Sequence, residues 1–302
     1  MGEVSLSRRA VLRGFGGAVF FAGAGAGASA PASANTIDRA LTKLEKDSGG
    51  RLGVHALDTA TGRTLGCNQD KRFGMCSTFK LLLAAAVLRE ADAGRIDLAK
   101  KIHYTKADMV FHAPVTEANL GKVGMSVRDL AEAAQVTSDN VAANLLIKRL
   151  GGPAGFTAKL REMSDTITRI DRYEPEMNRV PVGEIRDTTT PRAMAETVAR
   201  VLIGDVLKPN SRATLIEWMV ATKTGLKRIR AGLPKEWHVG DKTGTGHHPT
   251  SANKHNDVAI IWPPGRAPII VTVYFEAAKY FDELRAEDDA VLSKVGELVA
   301  TW

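Results

Sequence analysis

"RLGVHALDTATGRTLGCN", residues 51–68, decides how this chain folds. It reads as two strands around the turn "DTATG", and a lone pair of strands is too small to stand by itself. The next 150 or so residues offer it no partner. From about Ser77 to about Val220, "SVRDLAEAAQVT", "NVAANLLIKRLGG" and "PRAMAETVARVLIGD" each repeat apolar residues at i, i+3 and i+4, the period of a helix. The period changes back only near the end, where "WHVGDKTGTG", "DVAIIWP" and "APIIVTVYF" are short β-rich runs. Helices bracket both strand regions: "NTIDRALTKLEKDSGG", capped at Gly49-Gly50, and the amphipathic "DELRAEDDAVLSKVGELVATW". The expected fold is a two-lobe α+β (α/β) architecture. Residues 35–70 and 221–302 build one antiparallel sheet flanked by the N- and C-terminal helices, and residues 71–220 form an inserted all-helical lobe. The crevice between such lobes is where a small-molecule site belongs.

Ahead of all this, "SRRAVLRGFGGAVFFAGAGAGASAPASA" has a basic start, a short apolar run and an A-x-A ending at Ala30 or Ala34. That is the layout of an export signal, and Arg8-Arg9 makes it the twin-arginine kind, so residues 1–34 are expected to engage that machinery and be removed. The run is short and rich in Gly and Ala, which favours cleavage over a retained anchor, and no later stretch has the length of a membrane span. The mature protein is expected to be periplasmic or secreted and monomeric. The formal charge is +7, of which the signal carries +2, and the remaining basic residues are scattered without interleaved aromatics. Nucleic-acid binding is therefore not expected. Cys67 and Cys76 make no disulfide framework in 302 residues; export would permit them to pair, but they are read as buried free thiols. No Cys/His cluster has zinc spacing, and no metal or other cofactor is expected. His247, His248 and His255 fall in a polar stretch that reads as an exposed turn.

Three short segments carry candidate chemistry. In "GMCSTFKLLLAAAV", Ser77 and Lys80 lie three apart at the head of an apolar helix and so share a face, with Cβ atoms about 5–6 Å apart. A desolvated amine has a lowered pKa and can take a serine proton, and the helix N-terminus supplies unpaired N–H groups for an oxyanion. S-x-x-K alone more often marks an N-cap serine with a solvent-facing lysine. Ser138-Asp139-Asn140 precedes a helix and reads equally as a capping cluster. Lys242-Thr243-Gly244-Thr245 sits on a strand where Gly244 lets another group approach the backbone. No G-x-S-x-G is present around Ser77, so a lysine or carboxylate base is expected rather than histidine. Each segment alone is weak; their order makes the signal.

S-x-x-K, then S-D-N, then K-T-G resembles a class A serine β-lactamase, over nearly the whole mature chain from Asn35 to Trp302. Glu174-Pro175-Glu176-Met177-Asn178 matches that family's E-P-E-L-N loop, with Met177 for the usual leucine and Tyr173 where tryptophan is common. The resemblance implies hydrolysis of penicillin- and cephalosporin-type antibiotics through an acyl-enzyme. Ser77 would be the nucleophile, Lys80 its proton partner, and Ser138 the donor to the leaving nitrogen. Glu174, in a catalytic loop 169–187, would activate the deacylating water with Asn178. Asn140 would hold the substrate amide, Lys242 and Thr243 its carboxylate, and the N–H groups of Ser77 and Thr245 would form the oxyanion hole. Either Lys80 or Glu174 can be the acylation base. An Arg172–Asp187 ion pair would pin the loop.

Three departures from the family matter. Many relatives have an arginine where this chain reads "ANKHND", so Arg228 in "GLKRIR" is expected to supply that charge. Cys76 is shared with carbapenem-hydrolysing relatives, but Gly246 stands where their partner cysteine would fall, so that disulfide cannot form. His112 stands where the family usually has an aromatic gatekeeper at the cleft mouth, and the resemblance implies that Thr245 leans towards cephalosporins. Two other readings share the trio: a D-alanyl-D-alanine peptidase and a non-turnover penicillin-sensing receptor domain. The Glu174 loop argues against the first and the lack of a retained span against the second.

Overall fold

The computed structural model describes residues 33–302, so nearly all of the expected export signal lies outside the described residues. The strand pair of residues 51–68 finds its partners at the other end of the chain. Arg51–Asp58 pairs with Thr64–Cys67 on one side and with Ile269–Glu276 on the other, and Ser251–Trp262 and His238–His248 complete a five-stranded antiparallel sheet.

Alternation along the strands explains why their sequences look apolar without a break. In the strand Ile269–Glu276, Ile269, Val271, Val273 and Phe275 point into a core shared with Ile37 and Leu41 of the first helix and Leu292 and Val295 of the last. Ile270 and Tyr274, one residue out of phase, point into a second core with the helical residues. A sheet covered on both faces wants apolar residues at every position. The N-terminal helix, Ala34–Ser48, ends where Gly49 adopts φ 67°, a left-handed cap that costs glycine little.

The second core is organised by the helix Phe79–Asp92, whose Leu81, Leu82 and Leu83 are all fully buried. Burying each such side chain contributes about 1.5–3 kcal/mol. A helix apolar on every side belongs in the middle of a bundle. Around it lie Val127–Val136, Asn140–Arg149, Gly152–Glu162 and Pro209–Val220, while Pro191–Leu202 packs on the sheet. No helix among the described residues is long and apolar enough to cross a membrane.

One reading of the sequence is corrected here. His247, His248 and His255 do not share an exposed turn: the strands His238–His248 and Ser251–Trp262 run almost to each other, and His255 lies on the second strand with 1% exposure. Polar side chains in "NKHND" made the stretch look like a loop, but Asn253, Asn256 and His255 are buried, and each makes a hydrogen bond that offsets part of the cost of burial. Both cysteines are buried free thiols, as read from sequence.

Candidate active site

Ser77 sits in the 3₁₀ turn Cys76–Thr78 that leads into the helix Phe79–Asp92, and Lys80 is that helix's second residue. The helical spacing brings Lys80 Nζ to Ser77 Oγ at 2.9 Å. The lysine is not solvent-facing. It is fully buried, and its ammonium also donates to the Ser138 carbonyl (2.8 Å) and Asn140 Oδ1 (2.5 Å) and lies 3.1 Å from Glu174 Oε1. Burial lowers its pKa, with the Glu174 carboxylate pulling the other way. The amine is thus closer to its neutral, proton-accepting form than an ordinary lysine.

The S-D-N segment divides its labour. Asp139 is the N-cap of the helix Asn140–Arg149, accepting from the Ala142 N–H at 2.9 Å, and the same carboxylate takes the N–H groups of Val115 and Thr116. Capping therefore falls to Asp139, while Asn140 accepts from Lys80 through Oδ1 and donates to the Phe111 carbonyl through Nδ2 at 2.8 Å. Ser138 stands at φ 61°, a backbone region that costs a non-glycine residue about 1–2 kcal/mol. Its hydroxyl accepts from Lys242 Nζ at 3.0 Å and from Lys80 Nζ at 3.4 Å, so one Oγ is shared by two lysines. Burial, then the charge of Lys80, push the Lys242 pKa well below its ordinary value.

Glu174 comes from the far side of the cleft. Its Oε1 accepts from Ser77 Oγ at 3.3 Å, and its Oε2 accepts from Asn178 Nδ2 at 2.6 Å. Asn178 Oδ1 is buried and makes no hydrogen bond among the described residues. The loop is pinned by Arg172, whose Nε donates to Asp187 Oδ2 at 2.6 Å. Asp187 is fully buried and also accepts from two backbone N–H groups, so this pair is no solvated surface contact. A residue not singled out from sequence holds Glu174 itself. Asn144 accepts from the Glu174 N–H and donates to the Glu174 carbonyl, both at 2.9 Å. The available signal was its spacing: a polar residue in "VAANLLI", four after Asn140 and hence on the same helix face.

The strand carrying Lys242, Thr243 and Thr245 closes the site. A Cβ on Gly244 would lie 2.6 Å from the Met75 carbonyl, so only glycine lets this strand touch the nucleophile turn. A Cβ on Gly246 would meet Cys76 Sγ at 2.9 Å. Thr243 Oγ1 is 2.6 Å from Thr224 Oγ1, a second residue the sequence did not flag. Arg228 donates to Thr245 Oγ1 at 2.7 Å and, from Nη1, to the carbonyls of Gly244 (2.9 Å) and Asn256 (2.8 Å). The His112 carbonyl accepts from the Asn140 N–H at 2.9 Å, but its imidazole stands apart from this network. The residue is exposed at φ 61°, with Nε2 donating to the Thr137 carbonyl, beside an 84% exposed Phe111. Among the described residues no cluster of three or more His, Cys, Asp or Glu is placed to hold a metal.

A serine hydroxyl within reach of both a buried amine and a loop carboxylate, facing a glycine-bearing strand, has the make-up of a serine acyl-transfer enzyme. Comparison with known proteins narrows this. The β-lactamase enzyme family model matches residues 36–302. The β-lactamase of Streptomyces albus G is 40% identical over 309 residues, covering 97% of this chain and 96% of that protein. β-Lactamase L2 of Stenotrophomonas maltophilia is 47% identical, with 88% of each covered. The structure of an ancestral class A β-lactamase superposes with a TM-score of 0.83 at 56% identity, over 87% of this chain and 98% of that one. The chain belongs to the class A β-lactamase family.

Proposed function

We propose that this chain opens the ring amide of penicillin- and cephalosporin-type β-lactams through an ester on Ser77. The observation that carries the reading is Ser77 Oγ, 2.9 Å from Lys80 Nζ and 3.3 Å from Glu174 Oε1. Two bases lie within hydrogen-bond reach of one hydroxyl. Ser77 Oγ attacks the lactam carbonyl carbon as its proton passes to one of them. The N–H groups of Ser77 and Thr245 receive the oxyanion, a contribution of about 2.7–4 kcal/mol for each such donor. The C–N bond breaks as the nitrogen takes the Ser138 proton, which Lys80 and Lys242 can replace.

Glu174 then takes a proton from a water that attacks the ester, and Ser77 leaves reprotonated. The free acceptor Asn178 Oδ1 beside the carboxylate suits that water's second hydrogen. Lys242, Thr243, Thr245 and Arg228 hold the substrate carboxylate, Asn140 its side-chain amide, and His112 flanks the entrance. One relative, 43% identical, is named as carbapenem-hydrolysing. Residues 1–34 act as a twin-arginine export signal in this reading, and the released enzyme works as a monomer in the periplasm or outside the cell. Replacing both Arg8 and Arg9 with lysine is expected to keep the protein inside.

Intact-protein mass spectrometry with benzylpenicillin tests the chemistry. Wild type is expected to turn over with no lasting adduct, Glu174→Ala to accumulate one on Ser77, and Ser77→Ala to show none. A long-lived adduct on wild type favours the peptidase or the receptor. No reaction in wild type and Ser77→Ala alike removes the enzyme reading.

A further inference from the structure

His255 was read from sequence as part of a turn, and the structure gives it a different setting. It lies on the strand Ser251–Trp262 directly opposite Thr245, so the two side chains share one face of the sheet. Its ring is buried, with 1% exposure, and Nδ1 donates to Asp289 Oδ1 at 2.8 Å. That is the imidazole's one hydrogen bond among the described residues: Nε2 is buried without a partner there, 3.7 Å from Asp288 Oδ2, which is itself taken by Arg285. Asp289 stands in the first turn of the helix Ala286–Ala300, where a carboxylate is favoured. The same Oδ1 also accepts from Arg228 Nε at 2.8 Å.

We infer that His255 is a positioning residue for the carboxylate-binding end of the site, acting through Asp289 on Arg228. Two donors converge on a single carboxylate oxygen, one from each flank. The guanidinium fixed in this way bridges the carbonyls of Gly244 and Asn256, which face each other across the two strands, and reaches the Thr245 hydroxyl. Arg228 thus ties the strands together one residue before Thr245. Asp289 is partly open to solvent, with 24% side-chain exposure. Without the imidazole it loses one of its two holds and can turn outward, taking the guanidinium's orientation with it. Burial raises the Asp289 pKa, but the His255 hydrogen bond and the Arg228 charge outweigh it and leave the carboxyl below its ordinary value. The network is therefore held together by charge and not only by packing.

The inference rests on the proposed β-lactam chemistry, and its test separates the two. His255→Leu removes the donor and keeps the bulk; His255→Asn restores a donor where Nδ1 stood. Benzylpenicillin is compared with its methyl ester, which lacks the carboxylate. His255→Leu is expected to raise KM for benzylpenicillin about tenfold, the low end for a charge-assisted hydrogen bond, with kcat and both constants for the ester within about twofold. His255→Asn is expected to recover KM, and Asp289→Asn to reproduce the loss should His255→Leu fail to fold. Equal losses on both substrates, or an unchanged KM, overturn the inference, since a merely structural histidine lowers the active fraction for both alike. A second readout needs no turnover: the NMR resonance of the Arg228 Nε–H group should shift in His255→Leu and return in His255→Asn. If wild type hydrolyses neither compound, the β-lactam reading falls and this resonance still decides the positioning, with no shift counting against it.

Discussion

Asn144→Ala is the substitution that separates having Glu174 from having it in place. Asn144 never touches Ser77, and its two hydrogen bonds go to the backbone N–H and carbonyl of Glu174 at 2.9 Å each. Alanine leaves both groups unpaired in a buried setting, where each costs about 1–3 kcal/mol, so about 2–6 kcal/mol favours a loop that shifts to find new partners. A shift near 1 Å is enough to cost about a hundredfold in a step that depends on a positioned group. Asn144 bonds neither Ser77 nor Lys80, and their 2.9 Å contact is set by the 3₁₀ turn Cys76–Thr78 and the helix that follows it. The expected result is rapid acylation followed by deacylation slowed about a hundredfold. Stopped-flow with a chromogenic cephalosporin reads this as a burst and a slow steady state, and mass spectrometry identifies the trapped ester. Thermal melting should fall with it. Deacylation at the wild-type rate in a folded variant would refute the clamp, and loss of acylation along with deacylation would assign the acylation base to Glu174 rather than Lys80.

Two other outcomes can be checked directly. Burial and Lys80 push the Lys242 pKa well below 10.5, so its charge is lost as pH rises through the lowered value, and kcat/KM for benzylpenicillin is expected to fall at a pH well short of 10.5. Lys242→Arg should move that alkaline limb upward, because a guanidinium keeps its proton, and an unmoved limb would assign it to another group. Burial pushes both Cys67 and Cys76 up to about 12, so native protein at pH 8 should resist iodoacetamide while denatured protein takes two labels; fast native labelling would contradict the packing.

The Glu174 clamp also shows where sequence reading stopped. Ser138-Asp139-Asn140 was legible as both a cap and a reactive cluster, and the structure gives each part to a different residue. Asn144 and Thr224 went unnoticed because their roles depend on partners distant in the chain. His255 was misplaced because its polar neighbours looked like loop and its burial depends on Asp289, 34 residues away.

By itself, the amino-acid order determined what depends on local spacing. It set the helical and strand periods, the i, i+3 meeting of Ser77 with Lys80, the sheet drawn from both chain ends, and the family likeness carried by three short motifs. Only the tertiary structure decided which groups share protons and which hold one another. Lys242 reaches Ser138 across 104 residues and Ser77 reaches Glu174 across 97. Periodicity is fixed by bonds along the backbone. A hydrogen bond between distant side chains is fixed by the packing of the cores that carry them, and no window of sequence contains both ends.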